Sequence, residues 1–463
     1  MIKGILPALI LTSSALFLLL LRLFKIKKDS IGFFISILAL VFSMLLIPYS
    51  NVEKNFPTLV QDELAIFFQF LISLASLLTL ILSWDYIREG KWGFVEFSSL
   101  VLFATVGMFF LVGSKDFLTL YIGLELMALS SYVLTGYARG ELKAFEASFK
   151  YFILGAFSSG ILLYGISFIY GTTGSFSIEK SLPQTGGNVD FLFKGGMLLV
   201  LCGFLFKVAA IPFHIWTPDV YEGAPNPITA FFSIGPKASA FAALLRVFWW
   251  IFSPTILDWQ FVIGIVSFIT MLGGNLMAIV QKNVKRMLAY ASIASAGYVL
   301  LGVISFNEFS LKGIYYYLFA FLFSIIGIFS IIIYLDKKEY SAEEVDDFKG
   351  LNKEHPFVSF CMLIFLLSLV GIPGTAGFVG KFFLFGSAIK GGFFFLATIG
   401  VLTSVVSLFY FFRIIVNIYI YNENGLKIKK SNTIFTSLLI CFFGTILFGF
   451  YPPLLLKILL MEL

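Results

Sequence analysis

The chain has 463 residues, of which 59% are hydrophobic and 13% charged, with a mean hydropathy of +0.97. Soluble globular domains carry about 25% charged residues, so this balance, together with 58 phenylalanines, excludes a soluble protein and calls for a lipid-facing surface. The net charge of +6 is small for such a length and needs no nucleic acid to explain it.

Apolar runs of about 20 residues, enough to cross a bilayer as helix, recur along the whole chain. In order they cover 4–24, 31–49, 63–84, 95–113, 117–137, 148–170, 195–215, 226–252, 257–280, 288–305, 311–335, 356–389, 396–421 and 433–452. The sequence therefore predicts an all-α polytopic membrane protein of about fourteen transmembrane helices. No small-residue cleavage site follows the first run, which reads as a retained helix and not a signal peptide. Most Lys and Arg outside the spans lie on the side holding loops 1–2, 3–4, 5–6 and their like. Positive charge marks the cytoplasm, so both termini are expected on the outer face. Arg246, Lys115 and Lys457 lie near span ends, where snorkelling to the interface is expected.

An internal repeat follows from the same pass. "SYVLTG" (131–136) matches "GYVLLG" (297–302) at an offset of 166, which also brings Gly107 onto Gly273. "AAIPF" (209–213) resembles "VGIPG" (370–374) at an offset of 161. The matches divide the chain into an N-terminal part (1–94), a first five-helix unit (95–252), a second unit (257–421) and a last helix (422–463). Five crossings per unit make the copies inverted, as in many transporters.

Both copies carry Ile-Pro in the fourth helix, at Ile211-Pro212 and Ile372-Pro373, the second followed by Gly374 and Gly377. Proline removes a donor and frees a carbonyl. Lipid tolerates that only where protein or water satisfies the backbone. Breaks near mid-membrane are expected at Pro212 and at Pro373–Gly377.

Four charges lie deep within spans: Glu125, Lys207, Lys237 and Lys381. Charges at that depth cost a few kcal/mol each and face the bundle interior. One acid cannot pair statically with three lysines, and a buried lysine that changes charge can carry a proton. Glu125 and Lys207 should face each other within direct or one-water reach. Glu146 and Lys150, four apart, read either as a surface helical pair or as a proton entry site. His214, just past a break, reads as a relay or as a loop histidine bonded to freed carbonyls. Ser292, Ser295 and Tyr298 read as a water-linked chain or as packing residues. The charged stretch 335–356 is expected to be mainly a surface feature. The three cysteines lie at no metal-binding spacing, and neither a metal nor a cofactor is expected in this chain.

The segments "GLELMALSSYVL", "FKVAAIPFHIWTPDVYEGAPNPITAFF", "NVKRMLAYASIASAGYVL" and "GIPGTAGFVGKF" resemble the N-type, antiporter-like subunits of bacterial NADH:quinone oxidoreductase, respiratory complex I. The resemblance runs over nearly the whole chain. It implies proton translocation in the bacterial inner membrane and discontinuous helices seven and twelve. It makes Glu125 the helix-five glutamate, Lys207 and Lys237 the lysines of helices seven and eight, and Lys381 the helix-twelve lysine. Relatives often place His or Lys midway along helix ten, where this chain has only Ser292 and Ser295. The resemblance implies neighbouring antiporter-like and small helical membrane subunits as partners. NAD, FMN, iron–sulfur clusters and quinone would be handled by other subunits. A stand-alone or Mrp-type cation/proton antiporter shares the same fold and is the rival reading.

Overall fold

The computed structural model describes residues 4–24, 28–50, 58–180, 191–252, 256–335, 342–421 and 431–460. The chain is helical almost throughout, as it must be in lipid, where each unpaired backbone polar group costs several kcal/mol. The helices are α1 (Leu6–Leu23), α2 (Asp29–Leu46), α3 (Glu63–Glu89), α4 (Phe94–Gly113), α5 (Phe117–Thr135) and α6 (Leu142–Thr173). They continue with α7 (Phe191–Lys207), α8 (Trp216–Gly223), α9 (Asn226–Phe252), α10 (Ile256–Ile279), α11 (Val284–Ser305) and α12 (Glu308–Leu335). The last are α13 (Leu351–Glu354), α14 (Pro356–Val370), α15 (Ala376–Lys390), α16 (Phe394–Tyr419), α17 (Asn432–Phe450) and α18 (Pro452–Leu460).

Among the described residues, twelve helices are long and apolar enough to cross a membrane. Several begin on a side chain that caps the first free amides. Asp62, Asp116, Asn283 and Ser431 each accept from the backbone N–H three residues on, the usual device for an exposed helix start. The central stretches of α9 and α12 are buried inside the chain, whereas α1, α2 and α16 form the rim. Small residues let neighbouring backbones close in: Gly107 of α4 lies on Met127 of α5, and Gly165 of α6 on Gly196 of α7. Such contacts replace the hydrophobic drive that lipid cannot supply.

Two of the expected spans are interrupted. The first helix piece, α7, stops at Lys207, five residues before Pro212, and α8 restarts at Trp216. Lys207 therefore ends a helix where the sequence placed it inside one. The second break is 371–375, between α14 and α15, with Gly371 and Gly374 at φ 90° and 89°. Only glycine adopts that region without strain. Pro373 and Gly374 lie in this break, but Gly377 lies in the first turn of α15. Its role is close packing, since a Cβ there would overlap the Ser368 carbonyl.

The described part of the charged stretch is more ordered than a surface loop. Val345 N donates to Lys282 O (3.0 Å) and Val284 N to Glu343 O. Asn417 of α16 donates to Val345 O (2.7 Å), and Phe348 and Leu351 are buried. Residues 342–354 thus strap the α10–α11 turn to the end of α16. Arg246 does not snorkel either. It is 4% exposed and holds Asp62 with two bonds of 2.9 and 2.8 Å. Its Nε donates to Val112 O at 2.8 Å.

Candidate functional site

The break after α7 is built by satisfying its loose backbone from several sides. Val208 N and Ala210 N return to Phe204 O and Leu205 O, with Ala209 at φ 60°. Thr270 of α10 takes the Ile211 amide at 3.0 Å. Trp216, the first residue of α8, donates from Nε1 to Phe206 O at 3.1 Å. Its ring stacks on Tyr151 at 4.6 Å and on Phe206 at 5.5 Å. This packing leaves Lys207, 5% exposed, at the enclosed end of α7.

Lys207 Nζ has no hydrogen-bond partner, and neither has the enclosed Oε1 of Glu125 on α5. No ion pair within 4 Å joins them, so of the direct or one-water reach expected for the pair, the direct contact is not made. The hydroxyls of Tyr132 on α5 and of Ser158 and Ser159 on α6 are also buried and unpartnered. Leu162 of α6 packs on Gly203 of antiparallel α7, a register that brings 158 level with 207. A cluster of orphaned polar atoms in an enclosed site suits buried water or a transferable proton, since buried polar groups are otherwise paired.

Lys237 lies in the buried central stretch of α9, one residue after an in-helix proline, Pro236. It is 4% exposed, and its Nζ donates to Ser292 Oγ at 2.6 Å and Ser292 O at 3.1 Å. The structure therefore brings Ser292 of α11 directly onto Lys237. Ser295, one turn on, accepts from Tyr317 at 2.9 Å.

Lys381, in the second turn of α15, reaches back to the end of α14. Its Nζ donates to Leu369 O and Val370 O, both at 2.8 Å, and to Ser404 Oγ at 2.7 Å. The first two are carbonyls set free by the break. Three acceptors match the three donors of an ammonium, and the Tyr298 ring lies 4.9 Å from Nζ. Beyond it runs a buried network: Asn275 donates to the Tyr298 hydroxyl (3.1 Å), Tyr298 to Thr403 (3.3 Å) and Tyr410 to Asn275 Oδ1 (3.1 Å).

At the end of the bundle bearing the α5–α6 and α10–α11 connections, Glu146 and Lys150 do pair, at 2.7 Å. They belong to a larger cluster. Asp219 of α8 binds Lys150 at 3.0 Å and Arg286 of α11 at 2.8 Å, and Arg286 also takes Glu222 at 2.8 Å. The cluster surrounds an open cavity of about 220 Å³. His214 lies in the break, with Nδ1 enclosed and unpartnered and its ring 6.5 Å from Tyr290. It joins neither Lys207 nor the surface cluster.

Reading the sequence missed Asp219 and Glu222 of α8 and Arg286 of α11, 67 and 64 residues away from them, which meet only because α8 folds across α11. It also missed Ser404, Asn275 and Tyr410. A signal for part of this exists in span thirteen, where Thr403, Ser407, Tyr410 and Asn417 recur at helical spacing on one buried face. Among the described residues, no group of three or more His, Cys, Asp or Glu could hold a metal ion.

With this arrangement in hand, the chain can be set beside known proteins. Residues 114–407 match the family model described as NADH:quinone oxidoreductase/Mrp antiporter, TM. NADH-quinone oxidoreductase subunit N of Trichlorobacter lovleyi is 43% identical over 423 residues, 90% of this chain and 87% of the relative. Subunit N 1 of Thermodesulfovibrio yellowstonii is 37% identical over 97% of both chains. A chain of respiratory complex I from Thermus thermophilus superposes with a TM-score of 0.85 at 28% identity, covering 97% of this chain and 98% of that one. A chain of the Mrp complex from Dietzia sp. shares the fold alone, with a TM-score of 0.85 at 21% identity over 99% of this chain and 96% of that one. The chain belongs to the NADH:quinone oxidoreductase/Mrp antiporter membrane family, among the antiporter-like N subunits of the oxidoreductase.

Proposed function

We propose that this chain moves protons through the membrane arm of an NADH:quinone oxidoreductase, along a line from Glu125 and Lys207 through Lys237 to Lys381. One observation carries the reading. Lys207, Lys237 and Lys381 are 5%, 4% and 4% exposed, and none contacts a carboxylate. Lysines kept as static charges at such depth would be expected to pair. Lysines that load and release a proton are better served by neutral acceptors, as at Lys237 and Lys381.

Between those two, Ser292, Ser295 and Tyr298 follow at i, i+3 and i+6 on one face of α11. The two serines take the place of the titratable residue that relatives put there, and Tyr298 stands beside Lys381 at the end of the row. Proton entry is assigned to the cluster around Glu146, Lys150, Asp219 and Arg286, whose cavity opens at the bundle end and whose α8 leads through Trp216 to Phe206, next to Lys207. His214 is an alternative relay in the break. The two interrupted segments complete fourteen crossings, with both termini on the periplasmic face. The units 95–252 and 257–421 act as inverted repeats. Supporting this, Gly107 meets Met127 across α4 and α5, and Gly274 meets Ala294 across α10 and α11, each twenty residues on. On this reading Gly107 corresponds to Gly274, the neighbour of Gly273.

The redox chemistry belongs to other subunits, which bind NAD, FMN, iron–sulfur clusters and quinone. Neighbouring antiporter-like and small helical subunits flank this chain in the membrane. The N subunits are 37–43% identical to this chain and the Mrp chain 21%, which favours the oxidoreductase over the antiporter. The test is purification in mild detergent followed by reconstitution into vesicles. Co-purifying flavin and iron–sulfur subunits, with NADH-driven proton uptake that falls in Lys237→Met, support the proposal. A chain that isolates without them and exchanges cations alone overturns it.

A further inference from the structure

Tyr298 stands beside Lys381, and its hydroxyl looks at first like the next step for a proton. The hydrogen bonds say otherwise. The phenol oxygen accepts from Asn275 Nδ2 at 3.1 Å and donates to Thr403 Oγ1 at 3.3 Å. Thr403 in turn donates to Ile399 O at 2.8 Å. On the other side, Tyr410 donates to Asn275 Oδ1 at 3.1 Å. The donor chain thus runs Tyr410, Asn275, Tyr298, Thr403 and ends on a backbone carbonyl. It crosses an amide, which holds hydrogen bonds but does not hand on protons, and it reaches no titratable group.

Lys381 does not use that oxygen either. Its three donors go to Leu369 O, Val370 O and Ser404 Oγ. What it meets of Tyr298 is the ring, at 4.9 Å from Nζ. That is within the reach of a cation–π contact, which is strongest where water is excluded. The ring is itself held edge-on by Tyr317 at 6.3 Å and 89° and by Phe385 at 5.7 Å and 81°.

We infer that Tyr298 serves Lys381 through the face of its ring and not as a hydroxyl relay, and that Asn275, Tyr410 and Thr403 are positioning residues that fix the ring beneath the ammonium. This deepens the proposed function and rests on it, since it assumes that Lys381 loads a proton. A platform of this kind favours the loaded lysine without a counter-ion and loses its partner when the proton leaves.

The experiment uses the assembled complex in vesicles, with NADH-driven proton uptake per electron as the readout. Tyr298→Phe keeps the ring and should pump within about twofold of wild type, whereas Tyr298→Leu should be about threefold to tenfold slower, the range expected for a contact of this class. Tyr298→Trp, the stronger platform, should rescue at least part of the loss if it fits. Thr403→Val removes only one of the two hydroxyl bonds that Tyr298→Phe removes, so it should stay within the same twofold of wild type. A Tyr298→Phe complex that assembles normally but pumps as poorly as Tyr298→Leu overturns the inference and makes the hydroxyl the working group. Equal, wild-type pumping in Phe and Leu variants overturns it as well. Lys381→Met separates the two levels: wild-type pumping there defeats the proposed path itself, whatever Tyr298 does.

Discussion

Lys237 and Ser292 are joined twice: Nζ bonds the serine hydroxyl at 2.6 Å and the same residue's carbonyl at 3.1 Å. The bond crosses from α9 to α11. Lys237 therefore ties these two helices together with a serine and no acid as its bonded partner. The bridge is also where a proton leaving Lys237 would start along α11.

Ser292→Ala removes the shorter bond and leaves the carbonyl. A hydrogen bond to a charged group contributes about 1.5–3 kcal/mol, so the variant should assemble but pump severalfold more slowly per electron pair. Ser292→Thr keeps the hydroxyl and should recover most of the rate. Proton uptake by reconstituted complexes checks this; an unaltered rate in the alanine variant would make Ser292 a packing residue.

Arg246 and Asp62 serve stability, not transport. Burial works to raise the Asp62 carboxyl, but the bidentate bond and charge of Arg246 outweigh it and hold the group below the usual carboxylate range. A lowered carboxylate stabilises the fold above its unfolded value, about pH 3.9, and that contribution fades as pH falls through the folded value. Arg246→Gln strands Asp62 and should cost about 2 kcal/mol, read as a lower melting temperature in detergent. The gap from wild type should be equal at pH 7 and pH 5 and shrink only in stronger acid. A gap already closed at pH 5 would contradict the assignment.

Gly377 tests the second break. Its amide donates to Ser368 Oγ at 3.2 Å, and an added methyl would run into the Ser368 carbonyl. Overpacking of this kind costs about 1–3 kcal/mol. Gly377→Ala should reduce the yield of assembled complex and displace the turn that carries Lys381. Gly386→Ala, on the same helix but in open space, should be neutral. Equal yields for the two would mean that the restart of α15 tolerates a side chain.

Much of this architecture was legible because lipid imposes one rule on every residue. Runs of about 20 apolar residues had to be helices, and the charges within them had to turn inward. Glu125, Lys207, Lys237 and Lys381 stood out for that reason. The breaks were visible as Ile-Pro pairs, but their edges were not. The first helix stops at Lys207, because Ala209 takes a left-handed turn that no local residue announces. Ser404 and Asn275 were invisible because a serine or asparagine in a span is common, and only tertiary packing decides which one meets a lysine. The ion cluster of Asp219 and Arg286 joins segments 67 residues apart. Arg246 was misread because its depth along α9 looked like a helix end, whereas its partner, Asp62, sits at the start of a helix from a different part of the chain.

Glu125 and Lys207 give the decisive prediction. Each has an enclosed charged atom with no hydrogen bond, and the two are not in contact. A static pair would have closed, because the Coulomb attraction of opposite charges rises steeply as water is excluded. An open pair is what a switch requires: its attraction can be strengthened or relieved by a change arriving from outside. If the pair is a switch, Glu125→Gln and Lys207→Met should both assemble, pump fewer protons per electron pair and slow quinone reduction, because the steps are coupled. The double variant should be no worse than the more affected single one, since each removes the same interaction. If the pair only holds helices together, the single variants should fail to assemble while the double one recovers, as the stranded charge is gone. Proton stoichiometry, turnover and subunit content of the three complexes decide between these outcomes, and wild-type pumping in all three would remove Glu125 and Lys207 from the path.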